Sequence, residues 1–223
     1  MQRRDVLKMI PLSVAGMTEL PGMGQGGRKD AAAMEAKPLV TQVKQYNGTP
    51  TLFLDGEPTF AGMCWVTPPS TEGWRDAENA PAIAKAGIHI YSFDAGKGFE
   101  WVEPKAGRSD PFDFSTVAAR YGRIIDVDPL ARFHLRLYFE VQPDDWWMKA
   151  YPGECQITSE GKPFGQSFAS EVWRKQVKDF LKAFIAYLNR AGLMDRVTAF
   201  QTGAGHTGEW VKGNLHVYAL RGL

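Results

Sequence analysis

The chain has 223 residues and carries 26 Lys and Arg against 25 Asp and Glu, so its net charge is close to zero. That balance argues against a nucleic-acid binder, which would show a basic excess. No run approaches the roughly 18 consecutive apolar residues of a membrane span. A hydrophobic content of 44% suits a packed core rather than a disordered chain.

Residues 1–36 read as an address and a linker. The opening "MQRRDVLKMIPLSVAGM" places Val6, Leu7 and Lys8 after Arg3-Arg4. It resembles the twin-arginine export motif of bacteria, a receptor-read signal that takes no part in the fold. The other reading is an ordinary basic amphipathic start. "GMGQGGRKDAAAMEA" follows as a flexible linker, with the small residues of a cleavage region at Ala31 to Ala36. The resemblance implies a periplasmic or extracellular protein whose folded domain is residues 37–223.

In that domain, "TLFLDGEPTF" sets two apolar runs around Asp55-Gly56, a strong hairpin signal because both central residues tolerate positive φ. "FAGMCWV" (60–66) predicts a strand. "DAENAPAIAKAG" predicts a short helix closed by Gly87. "IHIYSFDAG" predicts a second strand ending in Asp94 and Gly96, and "DFSTVAARYGRIIDVDP" a helix with Ser115 as N-cap. "RFHLRLYFEV" (132–141) is a third strand. The loop "QPDDWWMKAYPGE" is longer and more aromatic than a plain connection needs. From Ser167 to Ala191, Trp173, Val177, Phe180, Leu181, Phe184, Ile185 and Leu188 recur on one helical face. Lys175, Lys178, Asp179, Lys182 and Asn189 take the other face, and Gly192 ends the helix. "RVTAFQTGAG" is a fourth strand, and "NLHVYALRGL" is a further strand fragment.

A hairpin followed by strands alternating with helices calls for a parallel sheet with helical crossovers. A doubly wound nucleotide binder would place a Gly-rich phosphate loop after its first strand, but that strand runs into "WVTPPSTEGW". A (β/α)8 TIM barrel is favoured, because polar and aromatic residues gather where the strands end: Trp65, Asp94, Glu140 and the glycines before Glu209. The roughly 187 residues after the leader fall short of the about 250 of a whole barrel. The expectation is therefore its first four βα units behind an N-terminal β-hairpin. Such a half would expose two sheet edges, inviting self-association or pairing with a missing C-terminal half.

Three longer stretches carry a family resemblance. "GTPTLFLDGEPTFAGMCW", "PDDWWMKAYPGE…SEGKPFGQSFASEVWRKQVKDFLKAFIAYL" and "FQTGAGHTGEW" resemble the front half of clan A glycoside hydrolases of the β-galactosidase type, over residues 46–213. The resemblance implies a carbohydrate substrate, no cofactor, and retaining hydrolysis by two carboxylates about 5–5.5 Å apart. The acid/base of this clan follows the fourth strand. Glu209 is the only acid between Asp195 and the C-terminus, and Trp210 beside it would help raise its pKa. Trp65, Glu140, Trp146, His206 and Trp210 would shape the sugar site. The pattern departs from the family in two respects. Ala204 and Gly205 fall where many members have Asn-Glu, and the strand that would carry the nucleophile is not in the chain.

Plainer readings stand beside these. Glu209 is equally read as a surface acid after a glycine turn, and His206 as a turn cap. Glu140 is either a sugar contact or an ion-pair partner. Asp94 reads better as a cap than as a substrate ligand. Of Trp146 and Trp147, one stacks on sugar and the other anchors the loop. His89 and His134 read as packed within strands. No metal is expected, since "HTGE" lacks the spacing of a zinc-binding HExxH. Cys64 and Cys155 form neither CxxC nor a ligand cluster and stand as two thiols or one disulfide. The alternative function is a non-catalytic carbohydrate-binding or degenerate glycosidase remnant.

Overall fold

The computed structural model describes residues 37–95, 103, 111–142, 145–205, 210 and 218–219. The leader expected over residues 1–36 lies outside them.

The first sheet is a three-stranded meander of β1 (Thr41–Tyr46), β2 (Thr49–Leu54) and β3 (Glu57–Thr59), antiparallel throughout. Two tight turns make it. Asn47 and Gly48 have φ of 50° and 80°, and Asp55 and Gly56 have φ of 50° and 93°. Positive φ at both central residues matches the right-handed twist of the flanking strands. The Asp55 turn is also tied to the strand start, since the Val40 N–H donates to its carboxylate at 2.9 Å.

The second sheet is parallel. Its strands are β4 (Met63–Trp65), β5 (Ile90–Asp94), β6 (Arg132–Tyr138) and β9 (Val197–Gly203), side by side in chain order. Helices α1 (Ala80–Lys85), α2 (Val117–Val127) and α4 (Glu171–Arg190) supply the crossovers. Gly87, at φ 82°, closes the turn after α1, where the Ile88 N–H reaches the Ile83 carbonyl. Ser170 caps α4 by accepting from the Trp173 N–H at 3.0 Å. Ser115 does not cap α2. Its N–H and hydroxyl both bond the Asp113 carboxylate, and Thr116 takes the cap position without a side-chain bond.

Side chains alternate across each strand. Phe93, Phe133, Leu135, Leu137 and Phe139 point to one face, where they form the core with Tyr121 and Ile124 of α2 and Phe180, Phe184 and Leu188 of α4. Ring centroids of Phe93, Tyr121 and Phe133 lie 5.1 to 5.8 Å apart in edge-on geometry, the arrangement aromatic quadrupoles prefer.

The long segment before α4 is more ordered than a loop. It forms α3 (Trp146–Ala150) and a hairpin of β7 (Cys155–Thr158) and β8 (Pro163–Gln166). β10 (Tyr218–Ala219) pairs antiparallel with β7, so the tail fragment joins this third sheet and not the parallel one.

The expected (β/α)8-type fold, with its first four βα units, is therefore corrected. The described strands divide among three separate sheets, none closed on itself, and only four strands are parallel. Closure requires the first and last strands to meet, and about eight strands form the smallest barrel of this kind. Here β4 and β9 are opposite edges of an open ribbon, while β7, β8 and β10 are diverted into antiparallel pairing.

Candidate functional site

All four parallel strands end on the same edge of their sheet, so their terminal residues are neighbours. The face opposite the core is partly open. Strand register sets its side chains in rows: Trp65, Ser92, His134 and Ala199 across one, then Asp94, Arg136 and Gln201, then Tyr138 and Gly203. Trp65 is 56% exposed.

The rows are bonded internally. Ser92 Oγ lies 2.9 Å from His134 Nδ1. Burial, together with the nearby Arg136 charge, holds the His134 pKa below the ordinary histidine range. The Arg136 guanidinium contacts the Asp94 carboxylate at 3.3 Å and lies 4.9 Å from the Tyr138 ring centroid. Burial pushes the Asp94 carboxyl up, and Arg136 opposes that shift without cancelling it. Asp94 is thus engaged as an ion-pair partner of Arg136, while residues 96–102, which its expected cap would serve, lie outside the described residues. His89 is also engaged, 2.8 Å from the buried Asp128 carboxylate.

Buried and half-buried polar groups frame the edge. Gln166, fully buried, accepts from the Val141 N–H at 2.8 Å and donates to the Ala204 carbonyl at 2.6 Å. It clamps the chain just beyond β6 to the chain just beyond β9. Trp173 donates to the Phe139 carbonyl at 3.2 Å. After β4, Asp76 accepts from both the N–H and the hydroxyl of Thr67. Burial pushes the Asp76 carboxyl up, but the Thr67 bonds and Arg75 outweigh it and leave the pKa below its usual value.

The expected site residues separate. Trp65 belongs to the open face. Glu140 continues that face beyond β6, and its carboxylate accepts from Gln142 Nε2 at 2.6 Å. Trp147 is the buried anchor of α3, donating to Gln176 Oε1 at 2.6 Å, while Trp146 is half-buried against the core. Trp210 is 56% exposed. Its indole N–H donates to the Thr202 carbonyl at 2.9 Å and its ring lies 5.8 Å from Phe168, which returns the chain to the end of β9. Glu209 and His206 lie outside the described residues.

Arg136, Tyr138 and Gln166 were not singled out from the sequence. For the first two a signal existed: "RFHLRLYFE" alternates polar and apolar, which sets Arg132, His134, Arg136, Tyr138 and Glu140 on one face. For Gln166 there was none, because its partners lie far off in the chain.

Both cysteines are free thiols, Cys64 half-buried and Cys155 buried. Among the described residues no group of three or more His, Cys, Asp or Glu could hold a metal ion, and no helix is long and apolar enough to cross a membrane. No protein-family model matches the chain, and no curated protein matches it.

Proposed function

We propose that the protein is an exported glycoside-hydrolase-like protein that lays a saccharide across the open face of its parallel sheet, toward the strand ends. What supports this reading is the pairing on one face of an exposed indole, Trp65, with a polar set held by the Ser92–His134 hydrogen bond and the Asp94–Arg136 ion pair. A sugar ring presents apolar C–H faces and a rim of hydroxyls. An indole suits the first, and fixed donors and acceptors suit the second.

Hydrolysis would assign Glu209 as proton donor to the leaving oxygen and later as base toward water, opposite a carboxylate nucleophile. The position of Trp210, tied to Thr202 at the end of β9, favours this use of its neighbour in sequence. A second reading, binding without hydrolysis, is favoured by the engagement of the described acids nearby: Asp94 with Arg136 and Glu140 with Gln142.

Calorimetric titration with oligosaccharides and hydrolysis of aryl glycosides test both readings. Wild type that hydrolyses and Glu209→Gln that binds without hydrolysing support the enzyme. Binding by both proteins with hydrolysis by neither supports the second reading. Trp65→Ala is expected to weaken binding about tenfold in either case, and absence of all saccharide binding rejects both.

A further inference from the structure

The alternate residues of β6 carry an unusual load for one strand face: Arg132, His134, Arg136 and Tyr138. Arg136 is the central group. A guanidinium carries five N–H donors in a planar fork, and among the described residues Arg136 pairs with a single Asp94 oxygen at 3.3 Å. It rests on the Tyr138 ring, and its side chain is only 22% exposed, so it is held in place and partly desolvated. The Tyr138 hydroxyl beside it is buried and has no hydrogen-bond partner among the described residues, a condition that costs free energy until a donor or acceptor arrives. In register with Tyr138 stands Gly203, which has no side chain to fill the space, and in register with Arg136 stands the exposed Gln201.

On the reading of this face as a carbohydrate site, we infer that the saccharide is acidic: a uronic-acid-containing chain whose carboxylate is taken by Arg136 and the Tyr138 hydroxyl. The planar fork matches a carboxylate, and charge-assisted bonds in a partly desolvated setting are the strong kind. Trp65 stands on β4, two strand spacings or about 10 Å from β6. The indole and the guanidinium therefore contact different rings of one chain, which makes an oligosaccharide, rather than a single acid sugar, the ligand.

The test is calorimetric titration of the full chain with trisaccharides of galacturonate, glucuronate and mannuronate. Each is run against its own methyl ester, which keeps the shape and removes the charge. Neutral galacto- and gluco-oligosaccharides are run alongside. At least one acid is expected to bind about tenfold to a hundredfold more tightly than its ester, with the gap shrinking as salt is added. Arg136→Gln is expected to bind that acid and its ester alike. Tyr138→Phe, which keeps the ring under the guanidinium, is expected to narrow the gap, and it carries the test should Arg136→Gln fail to fold. If no acid binds more tightly than its ester, the inference is overturned while the carbohydrate reading stands on any neutral binding seen. If no saccharide binds at all, both fall together.

Discussion

Two buried glutamines on one hairpin allow hydrogen bonding to be separated from amide burial. Gln166 on β8 is fully buried and makes two bonds, to the Val141 N–H at 2.8 Å and the Ala204 carbonyl at 2.6 Å. Gln156 on β7 is equally buried, but among the described residues neither its oxygen nor its nitrogen has a partner. Methionine matches both in length and removes the amide. In Gln166→Met the Val141 N–H and the Ala204 carbonyl, both in buried residues, lose their partner. Each such orphan costs about 1–3 kcal/mol, and the more apolar side chain offsets part of the sum, leaving about 2–5 kcal/mol. In Gln156→Met no bond is lost and an unsatisfied amide is removed, so the change is expected to lie within about 1 kcal/mol of zero or to stabilise. Urea unfolding followed by circular dichroism measures both, read from midpoints at a common slope. Equal destabilisation by the two substitutions would refute the reasoning, as would a Gln166→Met protein indistinguishable from wild type.

Two further outcomes concern a half-buried imidazole and the two thiols. His134 has a folded-state pKa below its ordinary 6.5, so as pH falls below 6.5 the unfolded chain gains the proton first and stability drops. His134→Asn is expected to flatten that part of the stability-against-pH curve, and an unchanged slope would remove His134 as its cause. The second outcome concerns the thiols. Native protein is expected to react quickly with a thiol reagent at the half-buried Cys64 and slowly at Cys155, with both reacting in denaturant without reductant. Failure of either to react in denaturant would point to a disulfide.

The sequence was most informative where a pattern was local and long. The apolar face of α4, the alternation along β6 and the Asp55-Gly56 turn could each be read from a window of at most about two dozen residues. Asn47-Gly48 carried the same turn signal, but the polar run before it concealed β1, whose solvent-facing side chains give no hydrophobic alternation. β7 and β8 are four residues each, and β8 begins at Pro163, so neither rises above the surrounding turn residues. The Asp94–Arg136 pair could not be read from the sequence, because its two members lie on different strands, outside any local window. The error over the barrel has the same origin. Periodicity orders strands and helices along the chain, but which strands pair with which, and that β7, β8 and β10 form an antiparallel sheet of their own, is recorded in no single stretch. Within the candidate site, Trp65 and Glu140 could be read as strand-end residues. The Arg136–Tyr138 pair required knowing which face the helices leave uncovered.

The chain-order arrangement of the parallel sheet bears on how it assembles. Ser92 and His134, bonded across β5 and β6, are 42 residues apart. Phe133 and Thr198, bonded across β6 and β9, are 65 apart. Lengthening the closure from the first span to the second adds only about 0.4 kcal/mol of chain entropy, so the last strand is not penalised for arriving late. Each strand docks on the one completed before it, and the β7–β8 hairpin within the longest crossover closes locally. A chain emerging from the ribosome can therefore lay down its sheet strand by strand, and Gln166, made before β9, is already in position to receive Ala204 when that strand docks.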